Sequence, residues 1–308
     1  LSNIKTTTLP LSHLLLALAI VAIWGTNFVV MKNCLAVFPP FMFAALRYSF
    51  ALLPMALFIP RPKVPLWNLA LYGVLIGVGQ FGIVYYAVNS QISPGLASLV
   101  IQTQVFFTIG FAMLLNKERL RLYQIFALLL ALIGLLIIAL HTDATTTLLG
   151  LALMVFAGFS WGAANTVGRY AGISRPADLF AYVVWASAFA VPPLLLISAV
   201  FEGGVAHLSQ ILEQAPLGTW LGVLWQSWGN TLFGYAAWAW LLSKHPAAVV
   251  APMPLLVPIF GMGASAIYLG EDLPVWKLFA AGLVMVGLLI NVSWPRLKEQ
   301  ITKVIKIT

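Results

Sequence analysis

Amides, indole rings and prolines interrupt the apolar runs of this sequence, and their chemistry is that of holding a small polar molecule rather than of making or breaking bonds. Gln102 and Gln104 lie inside the mostly apolar stretch from Pro94 to Leu120. Gln80 and Asn230 lie inside two others, and Asn230 shares a helical face with Gln226, four residues back. Asn27 and Asn165 follow Trp24-Gly25 and Trp161-Gly162 at a spacing that puts each amide on the face of its indole. A polar side chain within an apolar span is costly unless it faces protein or a water-filled cavity, so each of these residues is a candidate for substrate binding.

The assignments differ in how they divide the work. On a helix over 94–116, Ser98, Gln102 and Phe106 share one face while Gln104 and Thr108 lie roughly 200° round from it, so only one set can line a cavity. We assign Gln102 to the substrate and Gln104 to an interhelical hydrogen bond, with the reverse left open. Such a bond contributes only about 0.6–2 kcal/mol, a weak reason for keeping both. The two Trp-Gly pairs allow two readings: the indole and amide shape a polar pocket, or the glycine admits a neighbouring helix. Trp67, Trp220, Trp276 and Trp294 fit an interfacial belt. Trp225 and Trp228 lie deeper, and we assign Trp225 to line or gate a pathway. Pro252, Pro254 and Pro258 each delete an N–H that would have bonded Ala248, Val250 or Pro254, which predicts a bend, either in a moving, cavity-lining segment or as a static kink.

Charge placement narrows the chemistry. All eight carboxylates, Glu118 and Glu271 among them, fall in expected loops or at span ends, so an ion bound by a mid-membrane carboxylate is not expected, and downhill export or exchange is favoured. Arg47 is the one cation within a span, seven residues past Pro40. It could hold a substrate carboxylate, although an arginine so placed more often snorkels outward or caps carbonyls of a neighbouring helix. His13, His141, His207 and His245 lie near span ends, and there is no His-Glu-x-x-His and no buried carboxylate pair. No catalytic residue, metal site or cofactor is therefore expected. The single cysteine, Cys34, excludes an intrachain disulfide and a Cys-based metal cluster.

The elements that must position these residues are membrane helices. Of the 308 residues, 62% are hydrophobic and 8% charged, far from the balance of a soluble domain. The net charge of +8 is scattered between apolar runs rather than gathered on one surface, which argues against a nucleic-acid partner and for the lipid bilayer. Ten spans are expected near 11–31, 39–60, 66–90, 94–116, 120–140, 148–168, 177–200, 217–243, 246–269 and 274–294. Leu14 to Val30 is followed by no small-residue cleavage site and reads as a retained first span. With the N-terminus inside, thirteen of the sixteen lysines and arginines fall on the inner side and only Lys32 and Lys277 on the outer, so both termini are expected in the cytoplasm. The amphiphilic connection from Glu202 to Pro216 is expected on the membrane surface.

The chain also repeats itself. At a separation of 153 residues Glu118 falls on Glu271, and Gly134-Leu135-Leu136-Ile137 on Gly287-Leu288-Leu289-Ile290; Trp24-Gly25 and Trp161-Gly162 lie 137 apart. We expect two five-helix repeats, 1–143 and 144–295, and a basic cytoplasmic tail, 296–308, that is either an interfacial helix or a frayed end. Five spans per half is odd, so the second half enters from the opposite side and the repeats are inverted. Such symmetry places a substrate site near the midplane.

Trp24-Gly25-Thr26-Asn27-Phe28, Pro94-Gly95-Leu96-Ala97-Ser98-Leu99, Phe159-Ser160-Trp161-Gly162 and Val250-Ala251-Pro252 with Leu255-Leu256-Val257-Pro258 resemble the EamA family of the drug/metabolite transporter superfamily over nearly the whole chain. Within it, Arg61-Pro62-Lys63-Val64-Pro65-Leu66 and Gln102 to Ile109 are similar to bacterial members that export O-acetylserine and cysteine. The resemblance implies a ten-helix inverted-repeat fold and export of small metabolites across the inner membrane. Gly270-Glu271-Asp272-Leu273 departs from the Asp-Glu-Arg-Leu pattern of the family's second repeat. The alternative to an amino-acid exporter is a broader drug/metabolite exporter with a tolerant, greasy cavity; a membrane-embedded enzyme finds little support in these residues.

Overall fold

The computed structural model describes residues 9–116, 121–143, 145–173, 175–245, 250 and 252–305, so Glu118 and its neighbours, together with Ala248 and Ala251, lie outside the described residues. Every regular element among them is helical: α1 (Leu11–Leu35), α2 (Pro40–Phe58), α3 (Leu66–Ser90), α4 (Pro94–Leu115), α5 (Leu122–Leu140), α6 (Leu148–Tyr170), α7 (Pro176–Phe201), α8 (Gly204–Gln214), α9 (217–244), α10 (Met253–Leu269) and α11 (Val275–Ile305). Helix starts follow local chemistry. Proline occupies the first turn of α2, α4 and α7, where a missing N–H is no loss. Thr147 Oγ1 accepts the Gly150 N–H at the start of α6. Two starts use a carboxylate from a distant loop. Glu202 accepts the N–H groups of Phe41 and Met42 (2.8 and 3.0 Å), and Glu271 accepts the Gly95 N–H and the Ser93 hydroxyl (2.8 and 2.5 Å), which sets negative charge on the positive ends of α2 and α4.

Among the described residues, α1 to α7 and α11 are each long and apolar enough to cross a membrane, eight of the ten spans expected. Of the remaining two, α10 is apolar but shorter, and α9 carries Gln226, Ser227, Asn230 and Thr231 in its middle. On α5, Leu122, Phe126, Leu129, Leu132, Leu136 and Leu140 are exposed, the apolar coat a bilayer requires. The surface connection forms α8, whose Leu208, Ile211 and Leu212 pack on the core. The backbone of α11 continues without a break as far as Ile305, so the first part of the expected tail prolongs the last helix.

Helices equivalent by the sequence repeat pack reciprocally. A methyl group added at Gly134 on α5 would lie 2.8 Å from the Ala280 carbonyl on α11, and one added at Gly287 on α11 would lie 2.5 Å from the Ala127 carbonyl on α5. Only glycine permits either approach. Gly25 likewise seats α1 against Val257 and Phe260 of α10, as Gly162 seats α6 against Phe107 and Thr108 of α4. α2 packs along α7. At one end of the bundle His13 Nδ1 and His245 Nε2, 2.6 Å apart, join the start of α1 to the end of α9.

The helices deform where they surround the centre. α3 and α9 widen into π-helix at Leu75–Gly82 and Trp225–Phe233, beginning 150 residues apart. α4 and α10 tighten into 3-10 helix at Ile101–Thr103 and Met253–Leu256, beginning 152 apart. Such segments free backbone groups that need other partners. Here side chains supply them: Ser160 Oγ donates to the Leu75 carbonyl (2.8 Å) and Thr231 Oγ1 to that of Gln226 (2.8 Å).

Candidate functional site

The four distorted segments, with α1 and α6, enclose a cavity of about 300 Å³. That is the lower end of the range for small-molecule sites. Seven of the eight residues expected at a substrate line it: Trp24, Asn27, Gln80, Gln102, Trp161, Asn165 and Asn230. The eighth, Trp225, does not. Its ring is 40% exposed on the outer face of α9, and Trp228 beside it is 44% exposed, its Nε1 donating to the Phe50 carbonyl. Gln226, Ser227, Asn230 and Thr231 take the buried face of α9, which turns the indoles outward, because an amide is far costlier against lipid than a ring. Phe28, Phe81, Tyr235 and Trp238 complete the aromatic lining. The spacing of Trp24 to Asn27 and Trp161 to Asn165 pointed to two of the rings, but Tyr235 and Trp238 carried no such mark.

Gln102 and Gln104 both line the cavity, contrary to the expectation that only one could. The 3-10 turn at Ile101–Thr103 advances about 120° per residue instead of about 100°, so the two side chains stand closer to 120° apart than to 160° and can border one space. Both also bond across helices. Gln102 Nε2 donates to the Pro254 carbonyl on α10 (2.8 Å), and Gln104 Oε1 accepts from Asn165 Nδ2 on α6 (3.1 Å) and from Thr108 (3.3 Å). Pro254 lines the cavity, Pro252 precedes the 3-10 turn, and Pro258 is buried where α10 passes from that turn into regular α-helix. The Pro254 carbonyl is shared between Gln102 and the Val257 N–H, so it is not left free as the proline spacing had suggested. At the Trp-Gly pairs the indoles line the cavity while the glycines seat neighbouring helices, so the two readings hold together.

Arg47 corrects the expectation that it snorkels or caps carbonyls. It is fully buried, and its partners are side chains of α3 and α9: Nε donates to Thr231 Oγ1 (3.0 Å), Nη1 to Tyr85 OH (2.9 Å) and Gln226 Oε1 (3.0 Å), and Nη2 to Asn230 Oδ1 (3.2 Å). The guanidinium carbon lies 3.7 Å from the centroid of the Phe81 ring, which separates it from the cavity. The π turn of α9 gathers Gln226, Asn230 and Thr231 around one point, and that gathering replaces the water a snorkelling arginine would seek. Nothing in the local sequence could show it, since those partners lie about 180 residues away.

Hydrogen-bond supply in the site is uneven. Asn27 Nδ2 donates to Gln226 Oε1 (3.1 Å), whereas Asn27 Oδ1, Gln80 Oε1 and Gln226 Nε2 are buried without a partner among the described residues. Among the described residues no carboxylate or histidine lines the cavity, and none form a group of three metal-ligating side chains. The arrangement can hold a small molecule through amides and ring faces. A larger hollow, about 990 Å³, opens among the loops at one end and contains Lys32, Asp143, Glu271 and Lys277. Its charged groups are largely engaged already: Lys277 pairs with Glu271 (3.1 Å), Lys32 donates to the Val88 and Asn89 carbonyls, and Asp143 accepts from Thr145 and Thr146. The smaller central cavity is the better candidate for a ligand.

The chain is 38% identical over 92% of its length to a Salmonella typhimurium protein described as a "Probable amino-acid metabolite efflux pump", 96% of which is covered. It is 34% identical over 93% of its length to an Escherichia coli K12 protein of the same description, again covering 96% of it. A chain of known crystal structure, 16% identical, superposes with a TM-score of 0.62 over 94% of this chain and 99% of its own, a likeness of fold alone. The EamA-like transporter family matches at residues 11–140 and again at 148–293, together nearly the whole chain, and this multi-pass membrane protein belongs to that family.

Proposed function

We propose that the protein exports small amino acids and their derivatives, cysteine and O-acetylserine foremost, through the central cavity by alternating access. In this reading α1 to α7, α9, α10 and α11 are ten spans in two inverted five-helix repeats, 1–143 and 144–295, set in a bacterial inner membrane with both termini and the 296–308 tail in the cytoplasm. The observation that carries it is the cavity itself: amides and indoles from both sequence repeats converge at four helix distortions, with no acidic group in the lining among the described residues. Reciprocal packing of α5 with α11, and of α1–α10 with α4–α6, supports the two-fold relation. The lack of a carboxylate in the lining supports facilitated export or exchange over ion-driven transport. The two relatives described as amino-acid metabolite efflux pumps support the substrate class.

The test is uptake into inside-out vesicles or proteoliposomes of labelled cysteine, O-acetylserine and an unrelated hydrophobic cation, with and without an imposed proton gradient. Amino-acid flux that survives collapse of the gradient is the expected result. The aromatic lining favours a second reading, a tolerant drug/metabolite exporter, and flux of the cation alone would establish that reading in place of the first. Flux that vanishes without the gradient would refute the facilitated mechanism.

A further inference from the structure

Arginine can only donate hydrogen bonds, and this fixes which atom of each neighbouring amide faces it. The atoms of Gln226 and Asn230 that meet Arg47 must be oxygens, Oε1 and Oδ1. Because Gln226 presents an oxygen, the Asn27 atom 3.1 Å from it must be the donating Nδ2. Two amides of the cavity wall are thus set in opposite senses by one buried guanidinium. Asn230 keeps its donor, Nδ2, for another partner, and Asn27 keeps its acceptor, Oδ1, which has none among the described residues. Gln80 Oε1 is a second acceptor without a partner among the described residues, and the Trp24 and Trp238 rings, with centroids 5.4 Å apart, offer π faces to the cavity.

We propose that Arg47 is a positioning residue that makes the cavity a receptor for a zwitterion, an inference that rests on the exporter reading above. A carboxylate binds at Asn230 Nδ2, in the field of a guanidinium whose partners, Thr231, Tyr85, Gln226 and Asn230, are all neutral. No carboxylate among the described residues lies within ion-pair distance of Arg47, so the substrate supplies the compensating charge. The ammonium takes the ring faces of Trp24 and Trp238 in the cavity lining. Arg47 itself stays behind Phe81 and touches no substrate.

The test compares cysteine with cysteine methyl ester, which lacks the carboxylate, and N-acetylcysteine, which lacks the ammonium. Ligand-induced change in Tm of the purified protein reads binding, and proteoliposome uptake reads flux. In the unaltered protein, cysteine is expected to bind about tenfold or more tightly than either analogue, the scale of one charge-assisted hydrogen bond. Gln226→Glu keeps an oxygen toward Arg47 and Asn27, lies outside the cavity lining, and gives the guanidinium its own counter-charge. It is expected to erase the preference for cysteine over its ester while the protein remains folded, a change that a purely structural network would not produce. Arg47→Gln should erase the preference too, but the Gln226→Glu result decides even if that variant fails to fold. Equal binding of cysteine and ester by the unaltered protein, or a preference unchanged in Gln226→Glu, overturns the proposal and leaves the exporter standing. Selective binding without flux overturns the exporter and leaves the role of Arg47 standing.

Discussion

The π segments of α3 and α9 occupy corresponding places in the two halves of the sequence and border the same cavity, yet their polar groups live under different constraints. On α9, Gln226, Asn230 and Thr231 are all bonded to Arg47. On α3, Gln80 is 2% exposed and its Oε1 has no partner among the described residues. The source of the asymmetry is α2. It carries Arg47, whereas α7, packed against it, has no charged residue from Phe180 to Phe201. Duplication accounts for the shared frame, and one buried cation, without an ion pair among the described residues, accounts for the difference in polarity between its two sides.

Substitutions can break this contrast. The largest effect is expected for Arg47→Leu, which takes a donor from Gln226 Oε1, Asn230 Oδ1, Thr231 Oγ1 and the Tyr85 hydroxyl at once. A loss of about 3–5 kcal/mol in denaturant stability and of all cysteine flux is predicted; unaltered stability would mean that α9 is held by something else. Next, Asn230→Ala should cost about 1–3 kcal/mol, since Arg47 Nη2 loses its acceptor, and should lower flux about tenfold. Gln80→Ala deletes a group with an unpartnered oxygen and should cost less than about 1 kcal/mol while slowing flux a few-fold. Equal stability losses in those two variants, followed by chemical denaturation, would erase the distinction between the segments. The smallest effect belongs to Trp225→Ala, whose exposed ring predicts flux within about twofold of the unaltered rate. A tenfold drop would return Trp225 to the pathway.

Much of the frame was legible because membrane helices announce themselves. Apolar length marked the spans, and seven of the eight chosen residues fall on the cavity because a polar side chain in an apolar run has few other places to go. The misses share a physical origin. Trp225 was placed by depth along its helix, which says nothing of which face it takes. Gln102 and Gln104 were separated on ideal α geometry, and no proline or glycine at Ile101–Thr103 warns of the tighter turn. Arg47 was judged by its own span, whereas its environment is assembled from α3 and α9, and the Phe81, Tyr235 and Trp238 rings became part of the site through tertiary packing alone.

The bond from Gln102 to the Pro254 carbonyl joins the two 3-10 turns, segments that correspond to each other in the repeat. Where a part touches its own counterpart, the contact lies on the axis that relates them. If transport exchanges the conformations of the two halves, surrounding contacts must trade places, but a contact on the axis maps onto itself. The two 3-10 turns would then form a pivot, a fixed region about which the cavity changes sides while the turns stay in contact.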